Sequence, residues 1–79
     1  MGPKRREKPR FVVCIDNHGY PASLEINKIY RAIPDADAAR DGDLRVVDES
    51  GEDYLFPARY FLEIRVSREL EDALVQTHH

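Results

Sequence analysis

Apolar positions fall in short runs whose period changes along the chain, and the changes mark out the elements. In Phe11-Val-Val-Cys-Ile15 they occupy both parities: Phe11, Val13 and Ile15 on one face, Val12 and Cys14 on the other. A β-branched run with no polar alternation predicts a strand over Arg10 to Asp16, buried on both sides. Its outer face, Val12 and Cys14, then needs a cover. Asn17-His-Gly-Tyr-Pro-Ala22 follows with a φ-permissive Gly19 and a Tyr-Pro step that no helix continues through. That is a loop, and it carries His18 and Tyr20 to the surface. In Leu24-Glu-Ile-Asn-Lys-Ile-Tyr-Arg-Ala-Ile33 the alternation must slip to seat Ile29 and Tyr30 together. Asn tolerates the left-handed backbone a slip requires, so the pattern predicts a short strand at Leu24 to Ile26, a bend at Asn27-Lys28 and a second strand from Ile29 to Ile33.

Pro34 ends that strand, and Asp35 to Asp43 reads as one short helical turn with Asp35 as cap and Gly42 as stop. Leu44 to Asp48 and Asp53 to Phe56 predict a hairpin about Ser50-Gly51. A two-residue turn there would set Glu49 opposite Glu52 and Asp48 opposite Asp53, like charges facing like. After Ser67, a natural cap, Leu70, Ala73 and Leu74 fall at helical spacing within Arg68 to Gln76. So short a helix does not hold alone, and its apolar stripe is expected to pack on Val12 and Cys14.

Between the hairpin and that helix, Gly51 to Ile64 compresses a strand, a Pro-initiated helical turn and another strand. Pro57 presets φ near about −65° and removes a donor the sheet no longer needs, which makes a hard corner possible. Tyr54, Phe56, Tyr60 and Phe61 crowd around it. The order apolar, Pro, small, basic, Tyr, apolar in Phe56 to Phe61 resembles the closing signature of Src-homology-3 (SH3) domains, and the bend at Asn27 resembles their diverging turn. The resemblance implies that Pro57 and Tyr60 line a peptide groove, although the chain has no tryptophan for the groove wall of peptide-binding SH3 domains. Val13-Cys-Ile-Asp-Asn17 with Gly19-Tyr20, Ser23-Leu24 through Lys28-Ile29-Tyr30, and Asp48-Glu-Ser-Gly-Glu-Asp-Tyr-Leu-Phe-Pro57 also resemble short, mostly uncharacterised bacterial and phage proteins with an SH3-like barrel. The fold implied is mainly β: a small SH3-like barrel of about five strands over 10–66, a flexible basic tail over 1–9, and a short C-terminal α-helix over 67–77.

Size and charge narrow the function. A chain of 79 residues is one small domain, and a domain of that size leaves little room for a deep catalytic cavity. No run is apolar enough to cross a membrane and no apolar stretch follows the basic start as in a secretory signal; one cysteine fits a reducing compartment, so a cytoplasmic location is expected. The net charge of −3 conceals an asymmetry: residues 1–10 carry five cations against Glu7, while the remainder carries seven cations against fourteen anions, or −7. The tail suits phosphate, and an alternative reading is a nucleic-acid-associated regulator tethered by it. His78 and His79 carry no expectation.

Candidate chemistry is sparse. Cys14 and His18 are near in sequence, but neither an orienting third group nor the two further ligands of a zinc site accompanies them, so no catalytic residue, metal or cofactor is assigned. Asp35, Asp37, Asp41 and Asp43 lack a calcium-loop ligand at Ala39 and read as a charged loop. The expectation is a non-enzymatic binding module whose surface combines Tyr20, Tyr54, Pro57 and Tyr60 with Asp16, Glu49 and Glu52. Aromatics beside carboxylates suit a basic or amphipathic polypeptide.

Overall fold

The computed structural model describes residues 10–76; the basic segment 1–9 and the terminal Thr77, His78 and His79 lie outside the described residues. Strand β1 (Arg10–Cys14) pairs with β2 (Ile29–Ile33) on one side and with β5 (Phe61–Ile64) on the other. The sheet continues from β2 to β3 (Asp43–Val47) and β4 (Asp53–Pro57), every pair antiparallel, in the order β4-β3-β2-β1-β5. Two short helices complete it, α1 (Ala36–Arg40) before β3 and α2 (Arg68–Gln76) after β5. The mainly β fold expected from the sequence is the one observed.

The expected closure into a barrel is not present in the hydrogen bonding, because among the described residues β4 and β5 each pair with a strand on one side only. The sheet is nonetheless forced to curl. Four ladder steps separate its edges, about 19 Å if flat. Only the 3-10 turn Ala58–Tyr60 joins β4 to β5, and the four Cα steps from Pro57 to Phe61 reach at most about 14 Å. The two edges therefore approach each other at that corner, as a Pro-initiated turn between successive strands requires.

Curling creates an inside. Val12, Cys14, Tyr30, Ala32, Val46, Phe56 and Phe61 line it, Leu24 enters from the loop 15–28, Tyr60 from the corner, and Leu44 packs at its margin. This inverts the expected facing of β1. Val12 and Cys14 point into the core, and Cys14 is wholly buried. They are covered by the sheet's own curvature and not by α2, whose Leu70 stays 43% exposed. Phe11 lies on the opposite face, where it bounds a shallow hollow with Ile64, Val66 and Glu71. Helix α2 thus starts beside the face that the sequence reading took for the inner one. Ser67 caps it as expected, its Oγ accepting from Leu70 N at 3.1 Å.

Two further expectations change. Leu24 to Ile26 is not a strand: Ser23 N and Leu24 N both donate to Tyr20 O, at 3.1 and 3.0 Å, so the segment is consumed by turns. The bend itself is where the sequence places it, with Asn27 at φ 70 and its N–H donating to Cys14 O at 2.7 Å. The hairpin register is shifted by one. Val47 faces Asp53, and Asp48 N donates to Glu52 O at 3.0 Å, so Asp48 faces Glu52 and Glu49 falls within the turn. Gly51, at φ 85, supplies a left-handed residue that lengthens the turn to Glu49-Ser50-Gly51, the bulged three-residue form. The helical turn after Pro34 stands as read: Asp35 Oδ1 accepts from Ala38 N at 3.0 Å.

Candidate functional site

The loop 15–28 folds back over the open corner of the sheet because three hydrogen bonds fasten it there and a fourth braces it internally. Tyr60 Oη donates to His18 O at 2.8 Å, and Ile15 N donates to Tyr60 O at 2.8 Å. Asn17 Nδ2 donates to Leu24 O at 2.9 Å, and Glu49 N donates to Ser23 O at 3.1 Å. Held this way, the Tyr20 ring stands edge-on to Phe56 at 5.0 Å and to Tyr60 at 6.2 Å between centroids. Its outer side remains open. From β4 the Tyr54 side chain emerges on the same face as Phe56, its hydroxyl donating to Glu52 Oε1 at 2.8 Å.

Between these elements runs a groove of about 410 Å³ lined by Tyr20, Ser23, Asp48, Ser50, Tyr54, Leu55 and Phe56. Phe56 is its floor at 2% exposure, and Tyr20 and Tyr54 flank it at 38% and 49%. Asp48 closes one end: although 7% exposed, its Oδ1 accepts from Ser50 N at 2.8 Å and Ser50 Oγ at 2.6 Å. The hydrogen bond to Glu52, with that carboxylate's charge, raises the Tyr54 phenol above its ordinary range, so Tyr54 stays protonated and able to donate.

Of the residues singled out in the sequence, Tyr20 and Tyr54 line this groove, and Glu52 stands beside it as the partner of the Tyr54 hydroxyl. The structure places the others differently. Tyr60 is 5% exposed, its ring meeting Tyr20 edge-on and the Arg59 guanidinium at 5.2 Å, and its hydroxyl holds the loop. Pro57 ends β4 at the corner and does not line the groove. Glu49 stays at the surface and is engaged by the neighbouring loop, its Oε2 accepting from Lys28 Nζ at 2.6 Å and from Tyr30 Oη at 2.5 Å. Asp16 accepts from His18 N at 2.9 Å within its own loop. Asp48, Ser50 and Leu55 were not anticipated; the signal for Asp48 and Ser50 was the Asx-turn spacing Asp-x-Ser before Gly51.

Elsewhere Cys14, Tyr30, Asp35 and Arg45 are committed to structure. Burial pushes the Cys14 thiol up, and its Sγ donates to Asp16 O at 3.3 Å, which leaves no accessible thiolate near His18. Burial, then the bond to Glu49, pushes the Tyr30 phenol well above its usual range. In the charged turn, Asp35 is held below the ordinary carboxylate range by the Ala38 N–H and then by Arg45; Arg45 spans Asp35 at 2.8 Å and Asp53 at 3.0 Å. A second hollow, of about 370 Å³, lies beside this ion-paired Arg45 and α1. Among the described residues no helix is long and apolar enough to cross a membrane. Comparison of the chain with protein-family models, with curated proteins and with solved structures finds no match.

Proposed function

We propose that this protein is a non-enzymatic binding module and that the groove between Tyr20 and Tyr54 takes a basic or amphipathic polypeptide. One observation carries the reading: two half-exposed tyrosines flank an apolar floor, Phe56, in a groove lined by Asp48, with the Glu52 carboxylate holding the Tyr54 hydroxyl beside it. Rigid aromatic walls offer a large contact area at small entropic cost, and carboxylates favour cationic side chains. The absence of an activated nucleophile supports binding over catalysis. The Ser50 hydroxyl is spent on Asp48, and no histidine lines the groove to serve as its base.

The test is an array of basic, neutral and acidic peptides probed with wild type, Tyr20→Ala and Tyr54→Ala. Basic peptides are expected to be retained by wild type and lost by Tyr54→Ala, with the thermal midpoint within a few degrees. Retention of acidic and basic peptides alike would overturn the reading. Binding of nucleic acid that falls steeply with salt and vanishes when Lys4, Arg5, Arg6 and Lys8 are neutralised would place the function in the basic segment instead.

A further inference from the structure

The groove touches three consecutive residues of one strand, Tyr54, Leu55 and Phe56. Successive side chains of a strand point to opposite faces, so a hollow that meets all three lies along the strand's edge and not over either face. That edge is open. β4 pairs with β3, and no described strand stands on its other side; α1 packs against β3 and α2 begins beside Phe11.

Two hydrogen bonds that bracket β4 fix which of its backbone groups are spent. Asp48 N donates to Glu52 O and Ala58 N donates to Gly42 O, both at 3.0 Å. Pairs in that phase, Val46 with Tyr54 and Leu44 with Phe56, therefore exchange their bonds within the hairpin, because bonded and non-bonded pairs alternate along an antiparallel ladder. The remaining residues, Asp53 and Leu55, turn N–H and C=O outward along the open edge, where Leu55 lines the groove. Pro57 is next in the outward series and has no N–H, which ends the open ladder.

Natural edges are protected by short strands, charges, prolines, bulges or a covering element, and β4 carries such features only at its ends, the bulged turn at Gly51, Asp53 and Pro57. Here the edge instead shows Tyr54 and, at 44% exposure, Leu55. Charge selects the occupant. Of the four carboxylates at the hairpin tip, Glu49 is paired with Lys28 and Asp53 with Arg45. Asp48 and Glu52 are held by Ser50 and Tyr54 and have no cation beside them among the described residues. Resting on the binding reading above, we infer that ligand is taken by strand addition: a basic, extended polypeptide segment pairs through its backbone with the outward amides and carbonyls of Asp53 and Leu55, with a side chain lodged between Tyr20 and Tyr54.

The probe is a synthetic peptide alternating valine with lysine or arginine, and the readout is amide hydrogen exchange of the full chain. Without peptide, Tyr54 and Phe56 are protected while Asp53 and Leu55 exchange fast; with peptide, Asp53 and Leu55 are expected to slow by about tenfold or more. Leu55→Pro deletes the outward N–H without touching a bond to β3 and is expected to weaken capture about tenfold, whereas Leu55→Val retains it. Two analogues of the probe, N-methylated on alternate amides in one register or the other, are expected to differ, one losing capture and one keeping it; they decide the matter if Leu55→Pro fails to fold. Capture that Tyr54→Ala abolishes but that leaves Asp53 and Leu55 exchanging as before overturns strand addition while the groove reading survives. No capture by wild type overturns both. Protection of Asp53 and Leu55 that grows with protein concentration, without peptide, assigns the edge to β4 of a second copy and overturns the basic-peptide occupant.

Discussion

Four tyrosines divide between two regions of this small sheet, and the division separates structure from surface. Tyr30 and Tyr60 sit in the seam between the loop 15–28 and the core, at 2% and 5% exposure, and their hydroxyls are spent on fastening that loop. Tyr30 Oη accepts from Glu25 N at 2.8 Å while donating to Glu49, and Tyr60 Oη donates to His18 O. Tyr20 and Tyr54 stand at the groove with one side of each ring open. The residue type is the same in both regions. What differs is whether the sheet's curl closes over the ring, and a buried phenol must then find a partner whereas an open one need not. The seam therefore holds Tyr20 in place, and the groove depends on tyrosines that no ligand would touch.

The largest expected effect breaks both regions together. Phe56 floors the groove and also packs on Phe61 at 6.3 Å between centroids; Phe56→Ala should cost about 3 to 5 kcal/mol, which unfolds a domain of this size. A denaturant melt of the variant checks this, and a cooperative transition near the wild-type midpoint would contradict the core described.

Next in size is the seam. Tyr30→Phe leaves the Glu25 N–H and the Glu49 carboxylate short of a partner and should cost about 1 to 3 kcal/mol; Tyr60→Phe, which frees only the His18 carbonyl, about 1 kcal/mol. A pH series sharpens the assignment. The Tyr30 phenol is raised in the folded state, so unfolded chains lose its proton first, above about pH 10. Its contribution to stability is thus complete below that pH and declines as pH rises further, since the folded state then binds more protons than the unfolded. Wild type should lose stability along that alkaline limb, and Tyr30→Phe should flatten it.

The groove is where binding and stability should part. Tyr54→Ala should leave stability within about 0.5 kcal/mol while reducing basic-peptide capture by about tenfold. If midpoint and capture fall together, Tyr54 belongs with the seam and the two-region division is wrong. The smallest effect belongs to α2. Leu70→Ser alters a 43% exposed side chain, so stability should again move by about 0.5 kcal/mol or less and the Cys14 thiol should react with a labelling reagent no faster than in wild type. Faster labelling would put the helix over Cys14 after all.

Local chemistry was legible wherever one residue acts on its neighbours. The Asp35 cap, the stop at Gly42, the left-handed Asn27, the Ser67 cap and the Pro57 corner each depend on backbone within a few residues. The site was legible only in part. Tyr20 and Tyr54 meet at the groove, with Glu52 bonded to the Tyr54 hydroxyl, but Glu49 was expected at a bare turn and is instead engaged by Lys28 and Tyr30, nineteen residues or more away in the chain. Such contacts have no local signature.

By itself, then, the sequence determined a mainly β chain, the sites of its turns and caps, and an aromatic corner at Pro57, because propensity, proline's missing N–H and left-handed backbone act over a few residues. Only the tertiary structure decided which face of β1 is inside. Both faces are apolar, so no polar residue marks the outer one, and the choice falls to the curl imposed by a 3-10 turn too short to span a flat sheet. It also decided the hairpin register, since one left-handed glycine adds a residue to the turn and shifts every pairing by one. The division of the four tyrosines follows from those two choices, because burial is set by what lies across the sheet and not by what lies along the chain.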